Sequence, residues 1–361
     1  MSEQGFLVCA DITGYTHYLD ESELDHASRI LSDVLDLLLG EVQTPLRLSR
    51  VEGDAVISYA PAADAVNPQV LVDRLENTYV AFRRALDQIV ANSMCGCRAC
   101  ANLSWLDLKF IVHHGEFVVQ RIGTQDELVG PSVNLLFRLA KNTIRETLGM
   151  AGYLAFTEAA VTALAISGYA AQLVEHLEPA ASGDSQRLLV KDMAPIWEER
   201  RARGTLDLAA EGVLVTMERQ FPARLTVVWD YLTGPALRAL MFGSDREDAQ
   251  ALEDGRMGID AVYVCWHGEA RLEHRIVDWD PPVRYAFLAP VGEATALGEF
   301  TSHPHIDGTL VNFRATVPRT SDGVIIPEEM HAGVAAELTE FFDGAFDRIL
   351  ERLESDLAAA S

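Results

Sequence analysis

A buried strand that ends on a carboxylate opens this chain, and it limits what the surrounding residues can form. Residues 6–10, FLVCA, are continuously apolar, which predicts a strand in the core. Asp11 follows directly, and Gly14 marks a turn three residues later. A carboxylate at the end of a buried strand has to be solvated, paired or bound to a cation. The stretch therefore predicts either a helix-capping aspartate or a polar site beside the core.

A second carboxylate occupies a comparable place in residues 47–60, RLSRVEGDAVISYA. Two alternating runs flank Glu52-Gly53-Asp54, which predicts a β-hairpin with Asp54 at its turn. Adjacent strands would place Asp11 and Asp54 side by side, where two ionised carboxylates repel unless a cation lies near them. Such oxygen ligands suit Mg²⁺, which takes one or two carboxylates plus substrate phosphates. Taken singly, each aspartate is more often a cap or a turn residue.

Composition argues against several classes of partner. The net charge of −25 disfavours a broad nucleic-acid-binding surface. Of the five cysteines, three lie within residues 95–100, which is not a secreted disulfide pattern and favours a reducing cytoplasm. The opening residues MSEQGF lack the pattern of a signal peptide. Thr157, Glu158 and Thr162 interrupt the longest apolar stretch, so we expect no membrane insertion.

Strand-like and helix-like segments are mixed in the first half, which predicts an α+β or α/β fold. The predicted strands cover residues 6–10, 47–60, 106–123 (a pair around His114-Gly115) and 186–192. The predicted helices cover residues 22–40, 69–93, 132–147 and 157–167. Charged and then small residues over 201–211 predict a linker between domains at 1–200 and 212–361.

The second half predicts an antiparallel sheet closed by one long helix. A strand over 213–221 precedes a helix over roughly 223–232, and several strand-like runs follow. Residues 328–357 carry apolar side chains at helical spacing. This helix has to pack against the sheet to bury its apolar stripe.

Four segments of the first half, in order, resemble class III nucleotidyl (adenylate/guanylate) cyclases. FLVCADITGYT and RVEGDAVISYA resemble the two metal-binding segments of that family, and their aspartates stand 43 residues apart. LKFIVHHGEFVVQRIG is similar to its strand pair with a His-x-Gly turn, and ELVGPSVNLLFRLAKN to its Asn- and Arg-bearing helix. The resemblance covers residues 5–195 and implies a ferredoxin-like, cyclase-type domain.

The resemblance also implies a role for each matching position. Two Mg²⁺ or Mn²⁺ ions would be held by Asp11, Asp54 and the Ile12 carbonyl. The triphosphate of a purine nucleotide would lie against Thr13, Gly14, Tyr15 and Thr16. Asn134 and Arg138 would contact the ribose and the α-phosphate. Arg50 and Glu127 would contact the base. The ribose 3′-hydroxyl would attack the α-phosphorus and expel pyrophosphate. Because the family's site forms between two domains, a single copy implies a head-to-tail homodimer.

Three positions depart from the family pattern. Arg50 stands where a lysine is usual, and Glu127 where an aspartate or threonine is usual. The family's late phosphate-binding lysine is expected near residues 181–187, ASGDSQR, which contain no lysine and offer Arg187 as a substitute. A second interpretation therefore stays open: a degenerate cyclase fold that binds nucleotide or metal without turnover.

Cys95, Cys97 and Cys100 are unlike the standard cyclases and are associated with an uncharacterised bacterial branch of the fold. Thiolates at this spacing can share one Zn²⁺, which takes four ligands in a tetrahedral array. The fourth ligand would be His113, His114, another cysteine or a residue of a second copy. Three reduced loop cysteines are the plain alternative, and a redox switch is a weaker third interpretation.

Residues 210–358 resemble the START-like (polyketide cyclase/dehydrase and lipid-transport, SRPBCC) superfamily. MERQFPARLTVVWDYLTGP is similar to its opening strand and first helix, and RIVDWDPPVRYAFLAP to its middle strands. The resemblance implies a helix-grip fold around an apolar cavity that holds a small hydrophobic ligand. The candidate lining residues are Tyr263, Trp266, His267, His303 and His305, for which the equal alternative is that they are ordinary sheet residues. A filled core that only mediates contacts is the alternative.

Overall fold

The chain forms two compact units, Met1–Gly204 and Thr205–Ser361. The computed structural model describes residues 2–42, 45–64, 66–92, 95–122, 125–179, 185–203, 206, 208, 212–250 and 256–359. Both units combine helices with a sheet, so the predicted mixed α+β class is confirmed. The linker bounds of 201–211 stay a prediction. Among the described residues, none of the helices has both the length and the apolar character that crossing a bilayer requires.

A sheet forms the centre of the first unit. Its strands are β1 (Glu3–Thr13), β2 (Arg47–Glu52), β3 (Ala55–Pro61), β4 (Asp107–Ile122), β5 (Gln125–Val129), β6 (Tyr153–Thr157), β7 (Val174–Glu178) and β8 (Gln186–Asp192). The order is β2-β3-β1-β4-β6-β8-β7, with β5 paired to β4. The neighbours in this sheet run antiparallel, apart from the parallel pair β4 and β6.

The central position of β1 explains its unbroken apolar sequence. Phe6 and Val8 belong to the core on one face of the sheet, and Leu7 and Cys9 to the core on the other. A strand with both faces covered needs apolar side chains at every position rather than at alternate ones. The predicted core strand is therefore confirmed.

Helices cover both faces of this sheet. They are α1 (Tyr15–Asp20), α2 (Leu24–Glu41), α3 (Pro68–Asn92), α4 (Arg98–Ala101), α5 (Pro131–Ala140), α6 (Ile144–Leu148), α7 (Glu158–Leu164), α8 (Ser167–Ala170) and α9 (Ala194–Arg203). The single helix predicted over 132–147 is wrong. Asn142 interrupts it, because its amide donates to the Leu139 carbonyl while its side-chain oxygen accepts the Ile144 N–H.

The strand pair predicted around His114-Gly115 is also wrong, since β4 continues straight through both residues. Gly115 pairs with Gly5 and His114 with Phe6 along β1, so no turn forms there. The glycine signal therefore marked a close strand pairing rather than a hairpin. Neither His113 nor His114 belongs to the cysteine cluster.

His113 should make the stability of the protein depend on pH. Its Nδ1 lies 3.0 Å from the Thr157 hydroxyl inside the core, and burial, with a smaller contribution from His114, lowers the pKa of His113 to about 4. The unfolded chain takes up a proton near pH 6.5 and the folded chain only near pH 4. His113 should therefore contribute a rise of about 3 kcal/mol in unfolding free energy as pH increases through this window.

Urea unfolding between pH 4 and 8 would measure this dependence. His113→Gln should remove its own share of the rise, about 3 kcal/mol, because glutamine does not titrate. His303→Gln, an exposed control, should keep the wild-type slope. Equal slopes in wild-type and His113→Gln protein would contradict the assignment.

The second unit is an antiparallel sheet with one long helix. Its strands are β9 (Val213–Phe221), β10 (Arg246–Gln250), β11 (Val262–His267), β12 (Ala270–Asp280), β13 (Arg284–Val291), β14 (Ala294–His305) and β15 (Gly308–Thr316), in the order β10-β11-β12-β13-β14-β15-β9. Its helices are α10 (Leu225–Thr233), α11 (Pro235–Phe242) and α12 (Glu328–Ala359). The strand over 213–221 and the long final helix are confirmed.

The apolar stripe of α12 packs on the sheet as its periodicity requires. Phe342 stacks on Phe313 of β15 with ring centroids 3.7 Å apart, and Phe346 meets Phe221 of β9 edge-on at 5.9 Å. Ile349 and Leu353 are buried one and two turns later. These contacts fix the helix against the sheet of its own unit.

Candidate functional site

Two cavities of about 320 Å³ each lie at the end of β1 and share Asp11, Asp54, Ala140 and Lys141 as lining residues. The strand register explains why the two aspartates meet. Asp11 pairs with Ala55 across β1 and β3, and the Ile12 N–H donates to the Asp54 carbonyl at 3.3 Å. Residues 43 apart in sequence are thereby brought to one polar wall.

Burial and two charged neighbours act on the ionisation of Asp11. Burial raises the pKa of Asp11 to about 6; the Lys109 ammonium opposes this shift, and the Asp54 carboxylate adds to it. The Lys109 Nζ lies 3.4 Å from an Asp11 oxygen and donates to the Ala140 carbonyl at 2.8 Å. A second cation at this wall would therefore relieve the repulsion between the two carboxylates.

The turn after Asp11 carries a polar atom that lacks a protein partner. Residues 12–17 line the first cavity. The Thr13 side chain is 7% exposed, and its hydroxyl has no hydrogen-bond partner among the described residues. Buried hydroxyls are normally satisfied, so an orphan beside a polar cavity fits a ligand or a water at that point.

Gly14 is required by both the backbone and the packing of this turn. Its φ is +86°, and a Cβ there would lie 2.3 Å from the Trp105 carbonyl oxygen. We expect Gly14→Ala to lower the free energy of unfolding by about 2–4 kcal/mol, because left-handed strain and a backbone clash add. Urea unfolding measures this change.

Gly149→Ala is a matched control for that substitution. Gly149 has φ +75°, but a Cβ there meets nothing within 4 Å. Its cost should therefore stay near about 1 kcal/mol, the strain alone. Equal losses at the two positions would show that the close approach to Trp105 is unimportant.

The predicted base-reading residues come together. The Arg50 guanidinium of β2 forms an ion pair with Glu127 of β5. It also lies 5.0 Å from the centroid of the Phe137 ring on α5 and 3.0 Å from a Glu52 oxygen. The pair is partly buried, which suits recognition of a planar, hydrogen-bonding group.

The two residues predicted to act on ribose and phosphate share one face of α5. Asn134 and Arg138 are one turn apart, and both are exposed. Arg138 lines the second cavity together with Asp11 and Asp54 of its own chain, whereas Asn134 lines neither of these two cavities.

Arg187 does not take the place of the missing lysine in this structure. Its guanidinium pairs with Glu158 at 2.7 Å and with Glu175 at 2.8 Å on the surface, and it lines neither cavity. Residues 181–184 of the expected loop lie outside the described residues.

Sequence reasoning missed several residues of the first cavity. Lys109 lies opposite Asp11 in the register of β1 and β4, within an otherwise apolar strand. Lys141 and Arg145 add positive charge to the wall. The sequence did contain a signal for Lys109, since it is a basic residue inside an apolar strand pattern. A charge in that position needs a partner, which indicates a polar site nearby.

The cysteine cluster gains a fourth member, and it is none of the histidines predicted. His26 of α2 joins Cys95, Cys97 and Cys100, with the ligand atoms all within 4.8 Å of one another. The Cys100 N–H donates to the Cys97 Sγ at 3.4 Å. This hydrogen bond, followed by one from Cys95, lowers the pKa of Cys97 to about 7, so its thiolate is readily formed.

The second unit holds an apolar cavity of about 390 Å³ between the sheet and α12. Among its lining residues are Phe242, Leu272, Phe287, Phe313, Leu338 and Phe341. Of the five candidate residues, His267 lines it, and the other four do not.

Each of those four has another position. The Tyr263 hydroxyl donates to the Thr233 carbonyl in the core, and the Trp266 indole donates to Asp248. His303 and His305 are exposed at the end of β14. Strand alternation sends neighbouring side chains to opposite faces, so proximity in sequence did not imply a shared cavity.

Comparisons with known proteins give partial matches. The family described as "Protein of unknown function (DUF2652)" matches residues 31–147. An uncharacterized protein of Mycobacterium tuberculosis is 33% identical over 118 residues, covering 32% of this chain and 52% of that protein. The chain thus spans about half the length of the curated relative it matches.

Solved structures with a partial likeness include two adenylyl cyclases. A bacterial light-regulated adenylyl cyclase is 15% identical, with 55% of this chain and 57% of that chain covered and a TM-score of 0.39. The adenylyl cyclase CyaB from P. aeruginosa is 16% identical, with 53% and 95% covered and a TM-score of 0.38. Each of these two likenesses covers about half of this chain.

Proposed function

We propose that the first unit binds a purine nucleoside triphosphate with a divalent cation and converts it to a cyclic nucleotide. The convergence of Asp11 and Asp54 on one cavity wall carries this proposal, together with the buried Thr13 hydroxyl beside it, which has no partner in the described part of the chain. A ferredoxin-like, cyclase-type fold of this unit is part of it. Lys141 and Arg145 in the same cavity supply positive charge for a phosphate chain.

The residues present fit Mg²⁺ or Mn²⁺. Asp11, Asp54 and the Ile12 carbonyl offer oxygen ligands at one wall, and burial together with the Asp54 carboxylate raises the pKa of Asp11, a shift that a bound cation would oppose. When bound, the cation would neutralise phosphate charge and polarise the α-phosphate. The Lys109 ammonium holds one Asp11 oxygen and so orients that carboxylate.

The remaining residues would position the nucleotide. The turn over 12–16 would contact the triphosphate, and the Arg50–Glu127 pair would meet the base. Arg138 would stabilise charge on the α-phosphate as the 3′-oxygen bonds to phosphorus, the bond to the β-phosphate breaks and pyrophosphate leaves. Such chemistry depends mainly on positioning and electrostatics.

Product analysis tests this function. The full-length protein is incubated with ATP or GTP and Mn²⁺, and the nucleotides are separated and identified by mass spectrometry. A cyclic product from either nucleotide supports the proposal. Nucleotide binding by calorimetry without any cyclic product contradicts turnover and supports the second candidate.

That second candidate is nucleotide binding without turnover. The Lys109–Asp11 ion pair favours it, because a cation of the protein itself already occupies one side of Asp11. Arg187, engaged by two surface carboxylates, supplies no phosphate contact in its place. Nucleotide binding without turnover predicts that a non-cyclisable triphosphate analogue still binds when a chelator has removed the divalent cation.

We include a head-to-tail homodimer in the proposal. Asn134 is exposed on the same helical face as Arg138, available to a second copy. Mixing inactive Asp54→Ala with inactive Arg138→Ala protein separates the arrangements. If the site is shared between copies, random pairing restores about a quarter of wild-type activity. If each chain completes its own site, mixing restores none.

For the second unit we propose a helix-grip, START-like domain that binds a small hydrophobic molecule and regulates the first. The apolar cavity under α12 supports this. Ala296→Phe, which fills the cavity, should reduce binding of the probe anilinonaphthalene sulfonate, with near-UV circular dichroism confirming an intact fold. Unchanged probe binding would exclude this cavity as the site.

A further inference from the structure

Two segments distant in sequence converge at the beginning of α2. His26 lies in the first turn of that helix, and the three cysteines lie just before and within α4. The His26 Nδ1 is 3.0 Å from the Cys97 Sγ and 3.9 Å from the Cys100 Sγ. The Cys95 Sγ completes a group whose atoms all lie within 4.8 Å of one another.

We propose that His26, Cys95, Cys97 and Cys100 bind one structural Zn²⁺ that holds the wall of the nucleotide cavity in place. In a tetrahedral zinc site, nitrogen and sulfur ligands lie about 3.6 Å apart and two sulfurs about 3.8 Å apart. The separations at His26 bracket the first of these values. Three thiolates and an imidazole suit zinc and do not suit Mg²⁺ or Ca²⁺.

The ligand set indicates a structural rather than a catalytic ion. Catalytic zinc sites keep a position open for water or substrate, with three protein ligands. Here four protein side chains are close enough to act as ligands, which would leave no position open, and the three cysteines form no disulfide with any described residue. Neither cavity at the end of β1 is lined by any of the four.

The segment that the zinc would hold, residues 95–105, packs against the turn after β1, residues 14–18. The Tyr18 hydroxyl of α1 donates to the Ala99 carbonyl at 2.9 Å, beside the cysteines. The Trp105 ring stacks on His17 with centroids 4.5 Å apart. The Trp105 carbonyl oxygen is the atom that excludes a side chain at Gly14.

This chain of contacts gives the zinc a mechanical role. With the metal bound, residues 95–105 are tied to α2 at one end and lie against residues 14–18 along their length. Without it, that end of the segment depends on hydrogen bonds such as those that the Ala99 N–H and the Arg98 Nε donate to the Glu23 carboxylate, at 3.0 and 3.5 Å. The proposal does not depend on turnover, since it concerns the metal and the order of the turn.

Metal content tests the ligands directly. Full-length protein purified with added Zn²⁺ should contain one zinc per chain, as measured by inductively coupled plasma mass spectrometry. Cys97→Ser and His26→Ala should each retain less than about a tenth of that zinc after dialysis against a weak chelator. Asp25→Asn, next to His26 but outside the cluster, and Cys265→Ala in the second unit should retain all of it.

Hydrogen–deuterium exchange tests the bracing role in wild-type protein, with and without a strong zinc chelator. Removing the zinc should speed exchange several-fold in residues 11–20 and 95–106, and leave β8 unchanged. Faster exchange in 95–106 alone would overturn the bracing role. Zinc-free protein after purification with added zinc, or full zinc in both ligand variants, would overturn the site.

Discussion

Asp54→Asn should lower kcat/KM for cyclic nucleotide formation by at least about 100-fold and leave the fold intact. A cation held by Asp11 and Asp54 would supply several kcal/mol of charge stabilisation, and each 1.36 kcal/mol is about a factor of ten in rate. Asparagine keeps the size of the side chain but removes the charge that holds the cation. Initial rates across Mn²⁺ concentrations measure the loss.

The control for this substitution is Asp36→Asn, on the exposed face of α2. It makes the same chemical change away from both cavities and should keep wild-type rates. High Mn²⁺ should partly rescue Asp54→Asn, because weaker cation binding is overcome by mass action. An Asp54→Asn protein as active as Asp36→Asn would show that the aspartate wall is not the cation site.

Arg238→Met should destabilise the second unit by about 3–5 kcal/mol, the cost of leaving a buried charge without its partner. The Arg238 and Glu247 side chains are both 0% exposed and are 2.5 Å apart. The Arg238 guanidinium also donates to the Tyr285 hydroxyl at 2.9 Å and lies 3.1 Å from the His274 Nδ1. Burial, and then the Arg238 charge, lower the pKa of His274 to about 3. The ring is therefore neutral, and its Nδ1 accepts a hydrogen bond from the Arg238 guanidinium.

Urea unfolding of the full chain would measure the change. Arg246→Met, at an exposed arginine of β10, should cost less than about 1 kcal/mol. Adding Glu247→Leu to Arg238→Met should recover most of the loss, because the orphaned carboxylate is then gone. A single variant as stable as Arg246→Met would contradict a penalty for the unpaired buried charge.

Local patterns predicted most of the secondary structure. The unbroken run at residues 6–10 indicated a strand covered on both sides, and the stripe over 328–357 indicated a helix on a sheet. The predictions failed where one side chain or one strand pairing overrode the pattern. Asn142 ended a helix through its own hydrogen bonds, and Gly115 continued a strand because it paired with Gly5.

The amino-acid sequence by itself determined the elements, the two aspartate turns and the class of chemistry to look for, because periodicity and turn residues act over a few positions. Only the tertiary structure decided which distant residues meet. Lys109 reaches Asp11 through strand register, and His26 reaches Cys97 across 71 residues of chain. Arg238 carries no sequence mark of its burial. Such contacts arise from the packing of whole elements, whose geometry no short stretch of sequence contains.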